Sequence, residues 1–127
     1  WIDEKTVSQR FDAINNFEKL LTQNGTVILK FYMHVSQEAQ LERLEERKTN
    51  PEKMWKHKDQ DWEERKLWKQ YINAYEDVFK NCSKAAPWQI IPTDHNWYKE
   101  FLIAQKVRDA LKDLKLEYPK LITNIKK

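Results

Sequence analysis

The ten residues Thr26 to Val35, TVILKFYMHV, constrain this chain more than any other stretch, because β-branched, aromatic and other apolar side chains fall on both faces of the extended strand they favour. A half-exposed strand alternates polar with apolar residues. One that is apolar on both faces belongs inside a parallel sheet covered on both sides. A second short apolar run, Trp88 to Pro92 (WQIIP), follows a turn at Cys82 to Pro87 and is closed by Thr93-Asp94.

Helical periodicity occupies the rest. Val7, Phe11, Ile14, Phe17 and Leu21 recur at steps of three and four, which predicts a helix over residues 6–23. Asn24-Gly25 ends it, and Gly25, the one glycine in 127 residues, suits a left-handed C-cap. Ser36 reads as the N-cap of a second helix with Ala39 at its third position; that helix carries Leu41 and Leu44 and stops at Asn50-Pro51. Asp61 has the chemistry of an N-cap for a third helix, with Glu63 and Glu64 in its first turn. Its expected buried stripe is Trp68, Tyr71, Ile72, Tyr75, Val78 and Phe79. The last helix, about 96–114, shows Trp97, Phe101, Leu102, Val107, Leu111 and Leu114 on one side. The basic tail after Tyr118-Pro119 is expected to fray.

Two strands separated by helical crossovers indicate parallel pairing and an α/β architecture. Two strands alone leave the apolar run 26–35 with one unpaired edge and too small a sheet to close. The 127 residues are therefore expected to be a single partial domain: helix 6–23, strand 26–35, a helical segment 37–80, strand 88–92 and helix 96–114. It would be the C-terminal part of a larger α/β unit, with self-association through the open edge as an expected consequence.

Charge is concentrated between the second and third helices. From Arg47 to Lys58 five Lys or Arg face a single acid, Glu52, in a chain whose formal net charge is only +3. A local field of that kind suits a phosphate-handling surface; the competing reading is a solvated helical corner. With one glycine the chain cannot build a glycine-rich phosphate cradle, and neither GxxxxGK nor GxGxxG occurs. The lone Cys82 rules out an internal disulfide, and His34, His57 and His95 have no partners at ligand spacing, so no metal site is expected from these residues. The thiol usage, the lack of roughly 18 consecutive apolar residues and the lack of a signal-peptide pattern lead to a cytoplasmic expectation, with no membrane partner.

The run NGTVILKFYMHVSQEAQLERLEERKTNPEKMWK, then Asp61, YINAYEDVF and APWQIIPTDHNWY, resembles the C-terminal half of the polyphosphate kinase 2 family, over about Arg10 to Leu114. That resemblance implies a P-loop kinase-like, three-layer parallel-sheet domain that transfers phosphoryl groups between inorganic polyphosphate and a nucleotide of the AMP, ADP or GDP class. It also implies that the Walker A loop and the Walker B aspartate would precede Trp1. Magnesium would then be held mainly outside this chain, leaving the isolated chain inactive. Family members generally form dimers or higher oligomers.

The resemblance also assigns residues. The family's lid carries an Arg-x-x-x-Arg pair that matches Arg43 and Arg47, one helical turn apart, as catalytic residues. Its Pro-x-Lys-x-Trp-Lys motif matches Pro51, Lys53, Trp55 and Lys56, followed by Asp61 at the lid aspartate. Lys58 stands where the family usually has Ser, adding a positive charge. Asp94 matches the aspartate of a Pro-x-Asp-x-x-Trp motif, and capping of the following helix is an equal reading for it. Lys53, Lys56, Lys58, Asp61 and Asp94 are thus candidate polyphosphate- or nucleotide-binding residues. The alternative function is a non-catalytic module that binds a polyanion, polyphosphate or nucleic acid. RNA is disfavoured because the aromatics here are not interleaved with basic residues on strands.

Overall fold

The first helix, α1 (Glu4–Gln23), starts two residues earlier than its apolar stripe suggests, because Asp3 caps it: Thr6 N donates to the Asp3 carboxylate at 2.8 Å. Its far end is a Schellman turn, with Thr26 N bonded to Leu21 O at 3.0 Å and Gly25 N to Thr22 O at 3.1 Å. Gly25 sits at φ +82° as its sequence position predicts. These coordinates are a computed structural model describing residues 2–120; the basic tail beyond Lys120 lies outside the described residues.

The paired strand β1 is Lys30–His34, shorter than the 26–35 expected from composition. A strand exists only where it has a ladder partner, and β2 (Trp88–Pro92) supplies five residues, in parallel register from Lys30 against Trp88 to His34 against Pro92. The sheet has two strands in the order β1-β2, so the other edge of β1 is unpaired among the described residues. Parallel pairing and the α/β class follow the expectation.

Between the strands run α2 (Gln37–Thr49), a 3₁₀ turn (Met54–Lys56), α3 (Asp59–Arg65) and α4 (Trp68–Asn81); α5 (Asn96–Asp113) follows β2. Ser36 caps α2 by accepting from Ala39 N at 3.1 Å. Asn50 breaks it and folds the chain back, its side chain accepting from Glu52 N at 3.0 Å. The expected third helix is instead two. Asp61 is not its N-cap: α3 begins at Asp59 after an extended Lys58, and the chain tightens at Lys66-Leu67, with bonds from Lys66 N to Glu63 O and Leu67 N to Glu64 O, before α4 starts.

One face of the sheet meets α4 through rings. Tyr32 packs on Tyr75 and Phe79 with centroids 4.5 and 5.0 Å away, and Phe79 reaches Trp88 at 5.8 Å. Below this cluster Lys30 Nζ donates to both Glu18 carboxylate oxygens, at 2.7 and 2.8 Å, and to Cys82 O at 2.6 Å. The same ammonium lies 4.9 Å from the Trp88 ring. One lysine thereby ties α1, β1, the end of α4 and β2 together.

Few apolar residues are buried; among the described residues Leu44, Cys82, Ala86 and Ile91 are. Phe17, Leu20, Trp97 and Phe101 are each more than half exposed, so the apolar stripes of α1 and α5 are largely uncovered and Trp97 is not the core residue its size suggests. Trp55 donates Nε1 to Glu52 O at 3.0 Å, yet the residue is 77% exposed. Among the described residues no helix is long and apolar enough to cross a membrane.

Candidate functional site

The α2 helix leaves the C-terminal end of β1 through Val35 and Ser36, so its inner face overhangs the carboxyl ends of both strands, where open α/β sheets hold ligands. Two contacts fix this overhang. The Asp94 carboxylate, just past β2, accepts from Ser36 N at 2.8 Å. Arg43 Nη2 donates to Thr93 O, and to Asp94 O at 3.2 Å. Thr93 is itself buried, with N and Oγ1 bonded to His34 O at 2.8 and 3.0 Å. Asp94 therefore is not the cap of α5, whose N-cap is His95; it holds the entry of α2.

That hydrogen bond from Ser36 N–H holds the Asp94 carboxyl below its usual range, with lesser help from the Arg43 and His95 charges. A depressed folded pKa means that the contribution to stability is complete above the ordinary carboxylate pKa, about 4, and disappears as acid titrates the folded group. Asp94→Asn is accordingly expected to melt below wild type at neutral pH. The gap should close in acid, and a pH-independent gap in thermal melts would show that the charge plays no part.

One turn beyond Arg43, Arg47 Nη1 meets Asp61 Oδ2 at 2.8 Å. Both arginines and Asp61 line one cavity of 340 Å³ together with Val35, Leu44 and Glu64. Three of the sequence-predicted residues are thus brought together. Glu46, the acid a purely structural reading would give to the arginines, instead takes Lys53 at 2.5 Å, and this bond holds the Glu46 carboxyl below its usual range. Lys56 lies 5.0 Å from the Trp55 ring, and Lys58 is an exposed residue entering α3. Neither they nor Lys53 line the cavity; all three lie on the segment that joins α2 to α3.

Sequence reasoning missed Gln40, Glu64 and Arg65. Arg65 Nη1 donates to Gln37 O at 2.9 Å and to Gln40 Oε1 at 2.7 Å, clamping α3 onto α2. Glu64 accepts from Gln60 at 2.8 Å and from the Tyr71 hydroxyl, and these bonds depress its pKa. No local signal separates Glu64 and Arg65 from the surface charges of DWEERK, or Gln40 from its polar neighbours on α2; only the return of α3 against α2 brings them together.

A family model described as polyphosphate kinase 2 matches residues 1–119. The chain belongs to the polyphosphate kinase 2 family. It is 40% identical over 119 residues to the AMP/ADP-polyphosphate phosphotransferase of Meiothermus ruber, covering 93% of this chain and 45% of that protein. It is 46% identical over 112 residues to an uncharacterized protein in the chlN 3′ region of Leptolyngbya boryana, 87% of this chain and 82% of that one. The crystal structure of polyphosphate kinase 2 from Arthrobacter aurescens TC1 superposes with a TM-score of 0.91 at 35% identity, over 97% of this chain and 44% of that one. The chain thus spans just under half the length of the Meiothermus and Arthrobacter relatives, and its two parallel strands and helices are part of an α/β, P-loop kinase-like fold.

Membership of this family implies magnesium; among the described residues no group of three His, Cys, Asp or Glu lies together to hold a metal ion by itself. The site's carboxylates are also engaged, Asp61 with Arg47 and Asp94 with Ser36.

Proposed function

We propose that this chain is the lid-bearing, C-terminal part of a polyphosphate-dependent nucleotide phosphotransferase, with Arg43 and Arg47 facing the phosphoryl groups and the basic segment of Lys53, Lys56 and Lys58 holding the polyanion. The observation that carries this reading is the convergence of Arg43, Arg47 and Asp61 on one cavity at the carboxyl ends of two parallel strands. Phosphoryl transfer asks a protein chiefly for positioning and for neutralisation of charge on the migrating group. A guanidinium meets both demands, since its planar fork grips two phosphate oxygens at once.

Asp61 holds Arg47 in place, while Arg43 is bound only to the uncharged carbonyls of Thr93 and Asp94. We assign magnesium and the phosphate cradle to the portion of the family's length that this chain does not span. The test has two parts. Titration of the chain with inorganic polyphosphate is expected to give binding that weakens steeply as salt is added, and the isolated 127 residues are expected to give no transfer to AMP, ADP or GDP. Salt-indifferent binding would remove the basic segment from the reading, and turnover that scales with purified chain would refute the division of labour. Polyphosphate binding by a longer protein carrying this segment, without any transfer, would leave only a polyanion-binding module.

A further inference from the structure

A second cavity, 310 Å³, adjoins the arginine cavity, and the two share Val35, Gln40 and Glu64 in their walls. Its character is different. Tyr32, Trp68, Tyr71 and Tyr75 line it, with Ile72 between them, and the volume lies at the lower end of the range usual for small-molecule sites, about 300 to 1,000 Å³. A ligand that filled both would need a flat apolar head at one end and negative charge at the other.

We propose that this aromatic slot takes the base of a nucleoside phosphate whose phosphates lie against Arg43 and Arg47. The inference rests on the phosphotransferase reading and adds to it the residues that hold the nucleotide's head. Every base has a π-face, so rings of this kind bind bases by stacking. The two charged side chains at the slot's edge are already committed: Arg65 to Gln37 and Gln40, and Glu64 to Gln60 and Tyr71. With those groups engaged, base edges find little to read, so selection follows stacking area. ADP and GDP bind comparably, and UDP and CDP bind more weakly.

Calorimetric titration of the 127-residue chain with ADP and with inorganic tripolyphosphate separates the two ends of the ligand. Trp68→Ala is expected to weaken ADP about tenfold or more, as for one lost base–aromatic stack, while leaving tripolyphosphate unchanged; Trp68→Phe restores most of the ADP affinity. Met33→Trp enlarges an exposed residue of the slot wall without removing a packed ring, and is expected to give the same selective loss if Trp68→Ala fails to fold. Equal losses for both ligands, ADP affinity indifferent to both variants, or no ADP binding where tripolyphosphate binds would overturn the slot and leave the phosphotransferase reading standing. Failure of wild type to bind tripolyphosphate would overturn both.

Discussion

Replacing Arg47 by Ala in an enzyme carrying this segment is expected to lower the rate of phosphoryl transfer by about 10²-fold or more, the usual result of removing one donor aimed at transition-state charge. Arg47 spends Nη1 on Asp61 at 2.8 Å. A guanidinium has five N–H donors in a fixed fork, so the remaining ones can turn to phosphate oxygens. The loss should fall on kcat and on kcat/KM together, because the interaction strengthens as charge develops. Arg43→Ala is expected to be as severe for a second reason: its guanidinium also ties α2 to the carbonyls of Thr93 and Asp94. Arg43→Lys keeps the charge and loses the fork, so it should recover little. Lys53→Ala and Lys56→Ala, on the basic segment, are expected to raise the apparent KM for polyphosphate with kcat nearly unchanged. Wild-type kinetics in both arginine variants would return the pair to a structural role.

Lys30→Met is expected to destabilise the fold by about 3–5 kcal/mol, the cost of breaking a buried ion pair from one side. The two side chains retain only 11% and 8% of their exposure, and removing the ammonium strands the Glu18 carboxylate and the Cys82 carbonyl together. Exchanging both partners, Glu18→Leu with Lys30→Met, should recover most of the loss. Some deficit should remain, because Cys82 O still lacks its donor and the Trp88 ring its cation. Denaturant midpoints of the two single variants and the double variant provide the cycle. If the single variant is no worse than the double, the bridge contributes nothing through pairing.

Much of the fold was legible because its signals are local. Gly25 at the left-handed turn, Ser36 as the cap of α2 and the break at Asn50-Pro51 each need only the backbone preferences of one or two residues. The arginine pair was legible for the same reason, since two residues four apart on a helix share a face. Asp61 reads in sequence as a cap, which α3 does not bear out, and its bond to Arg47 crosses 14 residues. Asp94 was read as a ligand or as a cap for the helix after it, whereas its carboxylate reaches back 58 residues to Ser36.

The sequence by itself determined the alternation of helical segments with two strands, the parallel α/β class and the cluster of positive charge, because periodicity, β-branching and charge density are properties of short windows. Only the tertiary structure decided the length of β1, since a ladder extends no further than its partner. The division into α3 and α4, the burial of Lys30 against Glu18 and the placing of an aromatic slot beside the arginine cavity were likewise settled there. Each of these depends on which distant segment arrives to satisfy a backbone group, a charge or a ring, and no window of neighbouring residues contains that information.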